Sequence, residues 1–459
     1  VSETDEFDVI VLGAGPAGEV GAGRLAEHGL TVALVERELV GGECSFYACM
    51  PSKGLLRPAQ ALAEARRVPG AAEAARGELD VAAVLARRDE IVHDLDDSAQ
   101  LPWIEERAIE LVRGHGVLAG ERTVQVGERT LRARRAVLAA PGTRALIPPI
   151  DGLAQVRPWT NREVTTAHAI PASLLVLGGG VVGVEMAQAY ASLGARVTLV
   201  EALPRLISDE EQLASELVRE GLQEQGVEVI LGVEASAARR SGEGADGAGS
   251  VTLELQDGRV LSARELLVAV GRQPHTEAIG LESLGLQPGG YVEVDETMRV
   301  PGHDWLYVLG DANGRVLLTH MGKYQARLAA DRILGRPVSL LCDGRLAPRV
   351  IFTEPQVAAV GYTLAGAEQA GLNVRAVDEP LGANAGGSFV GHGAPGTARI
   401  VIDVDREVLV GATFTGVEVA ESLHAATIAV IGEVPLERLR HAIPCFPTRS
   451  EVWLALLEG

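Results

Sequence analysis

The chain has 459 residues, 47% of them hydrophobic, enough for two or three packed domains around a large buried core. With 62 acidic against 41 basic residues, its net charge of -21 would repel a nucleic-acid backbone or an anionic membrane surface. The start, Val1 to Phe7, lacks the basic and apolar blocks of a signal peptide, and no apolar run approaches the ~18 residues of a membrane span. The expectation is a cytoplasmic enzyme that binds neither nucleic acid nor membrane.

Residues 8–12 (DVIVL) and 32–36 (VALVE) are apolar, β-branched runs on either side of a small-residue segment, the rhythm of strand, helix and parallel strand. The rhythm returns at 174–178 (LLVLG) and 197–201 (VTLVE). From Gly13 to Glu36 and from Gly178 to Glu201 the offset is 23 residues both times, so one unit occurs twice. The stretch 240–249 (RSGEGADGAG) reads as a hairpin tip between two strand-like runs. After 266–270 and 306–309, the segment 345–459 alternates strand-like and helical stretches. The predicted fold class is α/β: two doubly wound, Rossmann-like dinucleotide-binding domains plus a C-terminal α+β domain. Residues 1–148 and 270–340 are assigned to the first dinucleotide domain, 149–269 to the second and 345–459 to the third.

The first glycine motif, Gly13-Ala14-Gly15-Pro16-Ala17-Gly18, follows a strand and opens a helix, letting backbone approach a pyrophosphate at the helix N-terminus. Glu36 ends the next strand, where a carboxylate accepts a ribose hydroxyl. The second, Gly178-Gly179-Gly180-Val181-Val182-Gly183 with Glu201, meets the same tests. Two dinucleotides in one chain point to a flavin and a nicotinamide, and a carboxylate at Glu201 favours NADH over NADPH, with Arg196 and Arg205 nearby in sequence as the counter-argument.

Only four cysteines occur, Cys44, Cys49, Cys342 and Cys445, too few for a secreted disulfide scaffold. Cys44 and Cys49 enclose four residues, and Pro51 follows as a natural first-turn residue, which sets Cys49 near a helix N-terminus where a thiolate is stabilised. A metal site would need further Cys or His ligands at finger-like spacing, and none is expected.

With these motifs in order, the sequence resembles the class I pyridine nucleotide-disulfide oxidoreductases, among them dihydrolipoamide dehydrogenase, glutathione reductase and mercuric reductase. The resemblance is carried by Gly41-Gly42-Glu43-Cys44 through Cys49-Met50-Pro51-Ser52-Lys53, by Gly271-Arg272-Gln273-Pro274, by Leu309-Gly310-Asp311, by Leu317-Leu318-Thr319-His320 and by Phe352-Thr353-Glu354-Pro355 with Val360-Gly361. Ala140-Pro141-Gly142-Thr143 stands where the family usually has Ala-Thr-Gly.

The resemblance implies an FAD- and NAD-using homodimer whose active site is shared between subunits, with 345–459 as the interface domain. It implies that Cys44 is the interchange thiol, that Cys49 faces the flavin, and that Lys53 lies near the flavin edge and pairs with Glu185. Asp311 would bind the ribityl chain, with Leu318, Thr319 and His320 lining the flavin. Arg37, Gly42, Glu43, Gly116, Pro141, Gly142 and Gly310 complete the FAD candidates, and Val233 and Gly271 those for NAD.

One departure stands out. Disulfide-reducing members carry His-Pro-Thr followed shortly by Glu, and that histidine protonates the leaving thiol in the partner's site. Here the segment is Cys445-Phe446-Pro447-Thr448-Arg449-Ser450-Glu451, with phenylalanine in the acid-base position. His441, five residues upstream, reads as an ordinary surface histidine, and Cys445 as a small residue or a third thiol at the substrate mouth. A positioned acid-base group contributes roughly 10²- to 10⁴-fold, so an efficient dihydrolipoamide or glutathione enzyme is disfavoured. The expected acceptors are a disulfide of acidic thiols, a soft metal ion as in mercuric reductase, a quinone, or a carbon-sulfur bond as in 2-ketopropyl coenzyme M reductase. An NADH oxidase or quinone reductase with vestigial cysteines, and a flavin redox sensor without turnover, are the readings from other classes.

Overall fold

The protein is described from a computed structural model covering residues 4–242 and 249–459, so the centre of the Gly-rich hairpin tip, 243–248, lies outside the described residues. The chain forms two compact units, one of Val1–Pro51, Asp89–Ala145 and Arg272–Gly344, the other of Ser52–Arg88, Leu146–Gly271 and Arg345–Gly459.

In the first unit, strands Glu110–Arg113, Val32–Glu36, Thr4–Leu12 and Arg129–Ala139 lie side by side and parallel. Leu306–Val308 adds in parallel to the end of the last, while Thr123–Val126 and Gly116–Leu118 extend the sheet antiparallel. Both faces of a parallel sheet are covered, which is why Val9, Ile10, Val11 and Leu34 form an unbroken apolar core rather than an alternating one. Helix Pro16–Glu27 starts on Pro16 with Gly15 as its N-cap, as suits a residue whose missing N–H is no loss there. Its Gly18, Gly21, Ala22 and Gly23 are buried, and the helix packs on helix Thr319–Ile333, with Gly21 toward Ala326.

The second unit repeats the plan. Strands Glu228–Leu231, Arg196–Glu201, Ser173–Leu177 and Glu265–Val268 are parallel, and helix Val181–Ser192 follows the second glycine turn. Ala235–Arg240, Val251–Leu255 and Val260–Ala263 form an antiparallel sheet flanking it in sequence. The C-terminal part is a five-stranded antiparallel sheet, ordered Arg349–Ile351, Gln356–Gly361, Val408–Gly416, Thr397–Asp403 and Val374–Pro380. Helices Leu423–Ile431 and Val452–Glu458 cover its apolar face around Ile400, Phe414 and Leu456.

One grouping departs from the sequence division, which left 52–88 in the first dinucleotide domain. Leu55, Leu56, Val84 and Leu85 share a core with Leu174, Val184, Tyr190 and Ile351 of the second unit. Helix Cys49–Arg67 is therefore divided between the units after Pro51. A run of residues contiguous in sequence carries no mark of which core receives its apolar face. Among the described residues no helix is long and apolar enough to cross a membrane.

Candidate active site

The first glycine turn is built by close approach. Gly13 has φ +94°, and a Cβ there would stand 2.3 Å from the Ala140 carbonyl oxygen. A Cβ on Gly18 would lie 1.8 Å from the Gly13 carbonyl oxygen, so helix and strand meet at backbone distance. A Cβ on Gly15 would meet nothing within 4 Å, leaving open space at the N-terminus of the helix that Pro16, Ala17 and Gly18 begin. Glu36 is buried, its carboxylate accepting from the Ala14 and Glu38 amides at 2.7 Å each. Arg37 beside it is half exposed and faces Glu38.

The cysteine segment is pressed onto this turn. The Gly41 amide donates to the Ala14 carbonyl at 2.8 Å, and a Cβ on Gly42 would lie 2.8 Å from the Gly15 Cα. Cys44 sits in the short helix Gly42–Phe46, and Cys49 is the first residue of helix Cys49–Arg67. The two are reduced thiols in side-chain hydrogen-bond contact. That bond, with burial second, pushes the Cys44 thiol well above its ordinary range. Cys49 Sγ also lies 3.4 Å from the Thr319 hydroxyl at the head of helix Thr319–Ile333, where Leu318 is the N-cap and His320 is exposed.

Next to the same turn, the Thr143 hydroxyl donates to Asp311 at 2.7 Å and accepts from Arg272 Nε at 2.6 Å. Arg272 also reaches the Thr143 carbonyl at 2.8 Å and approaches Glu43 at 3.7 Å. Burial raises the Asp311 carboxyl above the usual range, while the Thr143 hydroxyl and Arg272 pull it down. Gly310 donates its amide to Gln325 at 2.8 Å, and Gly142 turns at φ +71° with nothing near its Cβ position. Gly116 lies over Leu12 and Val35, the nearest side-chain atom 2.7 Å from its Cβ position. Pro141 is half-buried.

In the second unit the glycine turn is repeated. Gly178 has φ +111° with its Cβ position 2.5 Å from the Ala269 carbonyl oxygen, a Cβ on Gly183 would lie 1.9 Å from the Gly178 carbonyl oxygen, and Gly180 again faces open space ahead of Val181 and Val182. Glu201 accepts from the Gly179 amide at 2.5 Å and from Leu203 at 2.7 Å, and the Val233 amide donates to the Glu201 carbonyl at 3.3 Å. Gly271, at φ +138°, accepts through its carbonyl from Leu146 at 3.0 Å. One turn along the helix, Glu185 is 3% exposed and its Oε2 accepts from Lys53 Nζ at 2.7 Å.

A model of the pyridine nucleotide-disulphide oxidoreductase family matches residues 7–326, and one of that family's dimerisation domain matches 347–456. The chain belongs to this family. It is 32% identical over 462 residues to the dihydrolipoyl dehydrogenase of Thermus scotoductus, covering 99% of this chain and 97% of that one. It is 29% identical over 450 residues to the mercuric reductase of Staphylococcus aureus, covering 97% and 81%. Its fold matches the HOCl-induced flavoprotein disulfide reductase RclA of Escherichia coli, with a TM-score of 0.86 at 23% identity and 99% coverage of both chains.

The family uses FAD and pyridine nucleotides, and two glycine turns with open helix N-termini and terminal carboxylates fit two dinucleotides. The family's dimerisation domain carries the remaining candidates. Phe446 is 77% exposed and Ile443 70%, while Cys445 and His441 also lie at the surface. Glu451 accepts from the Gly386 amide at 3.4 Å. Sequence reading passed over Thr143 as the link between Arg272 and Asp311. It also passed over Phe352, Gln60 and Gln188, which surround the Lys53–Glu185 pair. Only the position of Phe352 at the head of Phe-Thr-Glu-Pro marked that segment.

Proposed function

We propose that this oxidoreductase draws electrons from NADH, through FAD, into the Cys44/Cys49 pair, and delivers them to an acceptor that requires no protonated thiol as leaving group. The observation that carries the reading is the thiol pair itself, in contact at the start of helix Cys49–Arg67 and tied to the first glycine turn through Gly41 and Gly42. FAD, when bound, takes a hydride from a nicotinamide and returns the electron pair to a disulfide. The turn at Gly13–Gly18, Glu36 and the Thr143–Asp311 pair would hold it. The turn at Gly178–Gly183 would hold NADH, with Lys53 and Glu185 fixing the cation beside the flavin edge. Reducing the Cys44–Cys49 disulfide takes two electrons and two protons, supplied as a hydride from NADH and one proton from water. The two thiols give the two electrons to the acceptor and release the two protons to it or to water.

NADH is preferred because Glu201 repels a 2′-phosphate and neither Arg196 nor Arg205 stands ready to neutralise one. Arg205 is committed to the carbonyls of Ser208 and Glu210. Arg196 opens the strand that Glu201 ends, about 16 Å away at ~3.3 Å per residue.

In a homodimer whose C-terminal segment meets the partner's thiols, Phe446 stands where relatives place an imidazole. A benzyl side chain moves no proton. A soft metal ion, a quinone or a disulfide of acidic thiols meets this condition, and a lipoyl disulfide does not. The test is anaerobic NADH consumption with each acceptor class, using the unmodified protein, Cys44→Ser and Phe446→His. Expected are turnover above that with lipoamide for at least one of the three classes, its loss in Cys44→Ser, and a gain with lipoamide in Phe446→His that reaches part of the ~10²–10⁴-fold acid-base factor. Full turnover in Cys44→Ser would mean that electrons leave the flavin directly. Fast lipoamide reduction that the histidine does not improve would mean that another group supplies the proton.

A further inference from the structure

Lys53 is a flexible side chain, about a third exposed, that one ion pair alone would not hold still. Its surroundings do more. Glu185 uses its two oxygens in different directions, Oε2 toward Lys53 at 2.7 Å and Oε1 toward the Phe352 amide at 2.9 Å. The Phe352 ring lies under the same ammonium, 4.7 Å from Nζ to its centroid. The Phe352 carbonyl accepts from Gln60 at 2.7 Å, and two residues on the Glu354 backbone is clasped by Gln188, which accepts from its N–H at 2.6 Å and donates to its carbonyl at 2.9 Å. Gln188 lies on the same helix as Glu185, and Gln60 on the same helix as Lys53. Phe352 is thus fixed at its amide, its carbonyl and its ring, and it meets both members of the ion pair.

We propose that Phe352 is a positioning residue for the Lys53–Glu185 pair, its amide orienting the carboxylate and its ring confining the ammonium. The inference rests on the reading above that this pair serves hydride transfer from NADH to FAD. Removing the ring alone widens the range of positions Lys53 samples. Flavin reduction therefore slows while NADH binding, which depends on the glycine turn and Glu201, stays as it is.

The experiment is a double-mutant cycle of Phe352→Leu and Lys53→Met in the full FAD-loaded chain, read by stopped-flow flavin reduction over a range of NADH concentrations. Lys53 acetylation, followed by mass spectrometry on the same proteins, is the readout independent of turnover. Phe352→Leu should slow limiting flavin reduction roughly three- to thirtyfold, with the NADH dissociation constant changed by less than about twofold. It should also raise the acetylation rate of Lys53 roughly threefold or more, Phe352→Tyr should restore both, and Phe352→Leu should add nothing once Lys53 is Met. An equal loss in both Lys53 backgrounds, or a Phe352→Leu protein with unchanged reduction rate and Lys53 reactivity, would overturn the positioning role and leave the functional reading intact. If Lys53→Met reduces its flavin at the unmodified rate, the functional reading of the pair falls, and the positioning role with it.

Discussion

The two glycine turns share a backbone plan down to individual contacts, yet the helices that follow them are held differently. In both turns a positive-φ glycine meets a neighbouring carbonyl, a glycine five residues on abuts that first glycine, and the strand-ending glutamate binds two backbone amides. After the first turn, helix Pro16–Glu27 packs through Ala17 and Gly21 against helix Thr319–Ile333, with Arg24 ion-paired to Asp331 of that helix at 2.8 Å. After the second, helix Val181–Ser192 buries Glu185, Gln188 and Tyr190 and is secured by hydrogen bonds to Phe352, Glu354 and Val164, with Lys53 as counter-ion. The glycine turn is thus a local backbone device that can be copied. What surrounds it is set by the chemistry each copy serves.

The strongest way to break this comparison is to spoil each turn separately. A methyl at Gly18 or Gly183 would stand 1.8 or 1.9 Å from a carbonyl oxygen, so the helix must move off its strand. Gly18→Ala should lower FAD per chain at least about tenfold, read from flavin absorbance. Gly183→Ala should keep its FAD and lose at least about a hundredfold in the rate of reduction by NADH. Loss of FAD from Gly183→Ala would show that the two turns are not independent.

Charge inside the second helix is the next lever. Glu185→Gln still accepts from the Phe352 amide but leaves the Lys53 ammonium without its counter-ion. Flavin reduction by NADH should fall about ten- to a hundredfold while FAD content holds, since removing one partner of a buried pair is the costly change. Stopped-flow rates and flavin absorbance on one preparation check both halves.

The first helix carries a charge of its own. Burial lifts the Glu19 carboxyl from 4.5 to about 7, against the pull of Lys323 and with a small push from Glu36. Because its folded-state pKa is raised, Glu19 favours the fold most below pH 4.5, and that contribution is lost as the pH climbs through 7. Without added FAD, the chain should lose roughly 3 kcal/mol at most across that window, and Glu19→Gln should flatten the slope in denaturant titrations between pH 5 and 8. An unchanged slope would mean that Glu19 is solvated.

The smallest expected effect is on cofactor choice. Glu201→Gln removes the repulsion of a 2′-phosphate while Arg205 stays committed to carbonyls, so the NADH-to-NADPH ratio of flavin reduction rates should shift toward NADPH by only about tenfold.

Both nucleotide units were legible in the sequence because strand, glycine turn, helix and strand are consecutive, and each imposes a local pattern. The period of Val9 to Leu12 and the absence of side chains at Gly13 and Gly18 need no partner to be read. The site was less legible. Thr143 joins Arg272 across 129 positions, Gln60 reaches Phe352 across 292, and Gln188 reaches Glu354 across 166. No residue in those pairs is unusual for its neighbourhood, so nothing in the linear pattern distinguishes it. Arg196 and Arg205 show the converse: both flank Glu201 in sequence, yet strand geometry carries one away and two carbonyls occupy the other.

The sequence by itself determined the duplicated α/β plan, the two pyrophosphate turns, the cysteine pair at a helix start and the phenylalanine in the C-terminal segment. Each is a matter of residue type at short range, where backbone sterics and helix-end electrostatics act over one or two turns. Only the tertiary structure decided that residues 52–88 share the second core, that Cys44 and Cys49 meet in a hydrogen bond, and that Phe352 closes around Lys53 and Glu185. Those outcomes depend on burial and on hydrogen bonds between distant segments, and such bonds exist only once the packing of whole helices has set the distances.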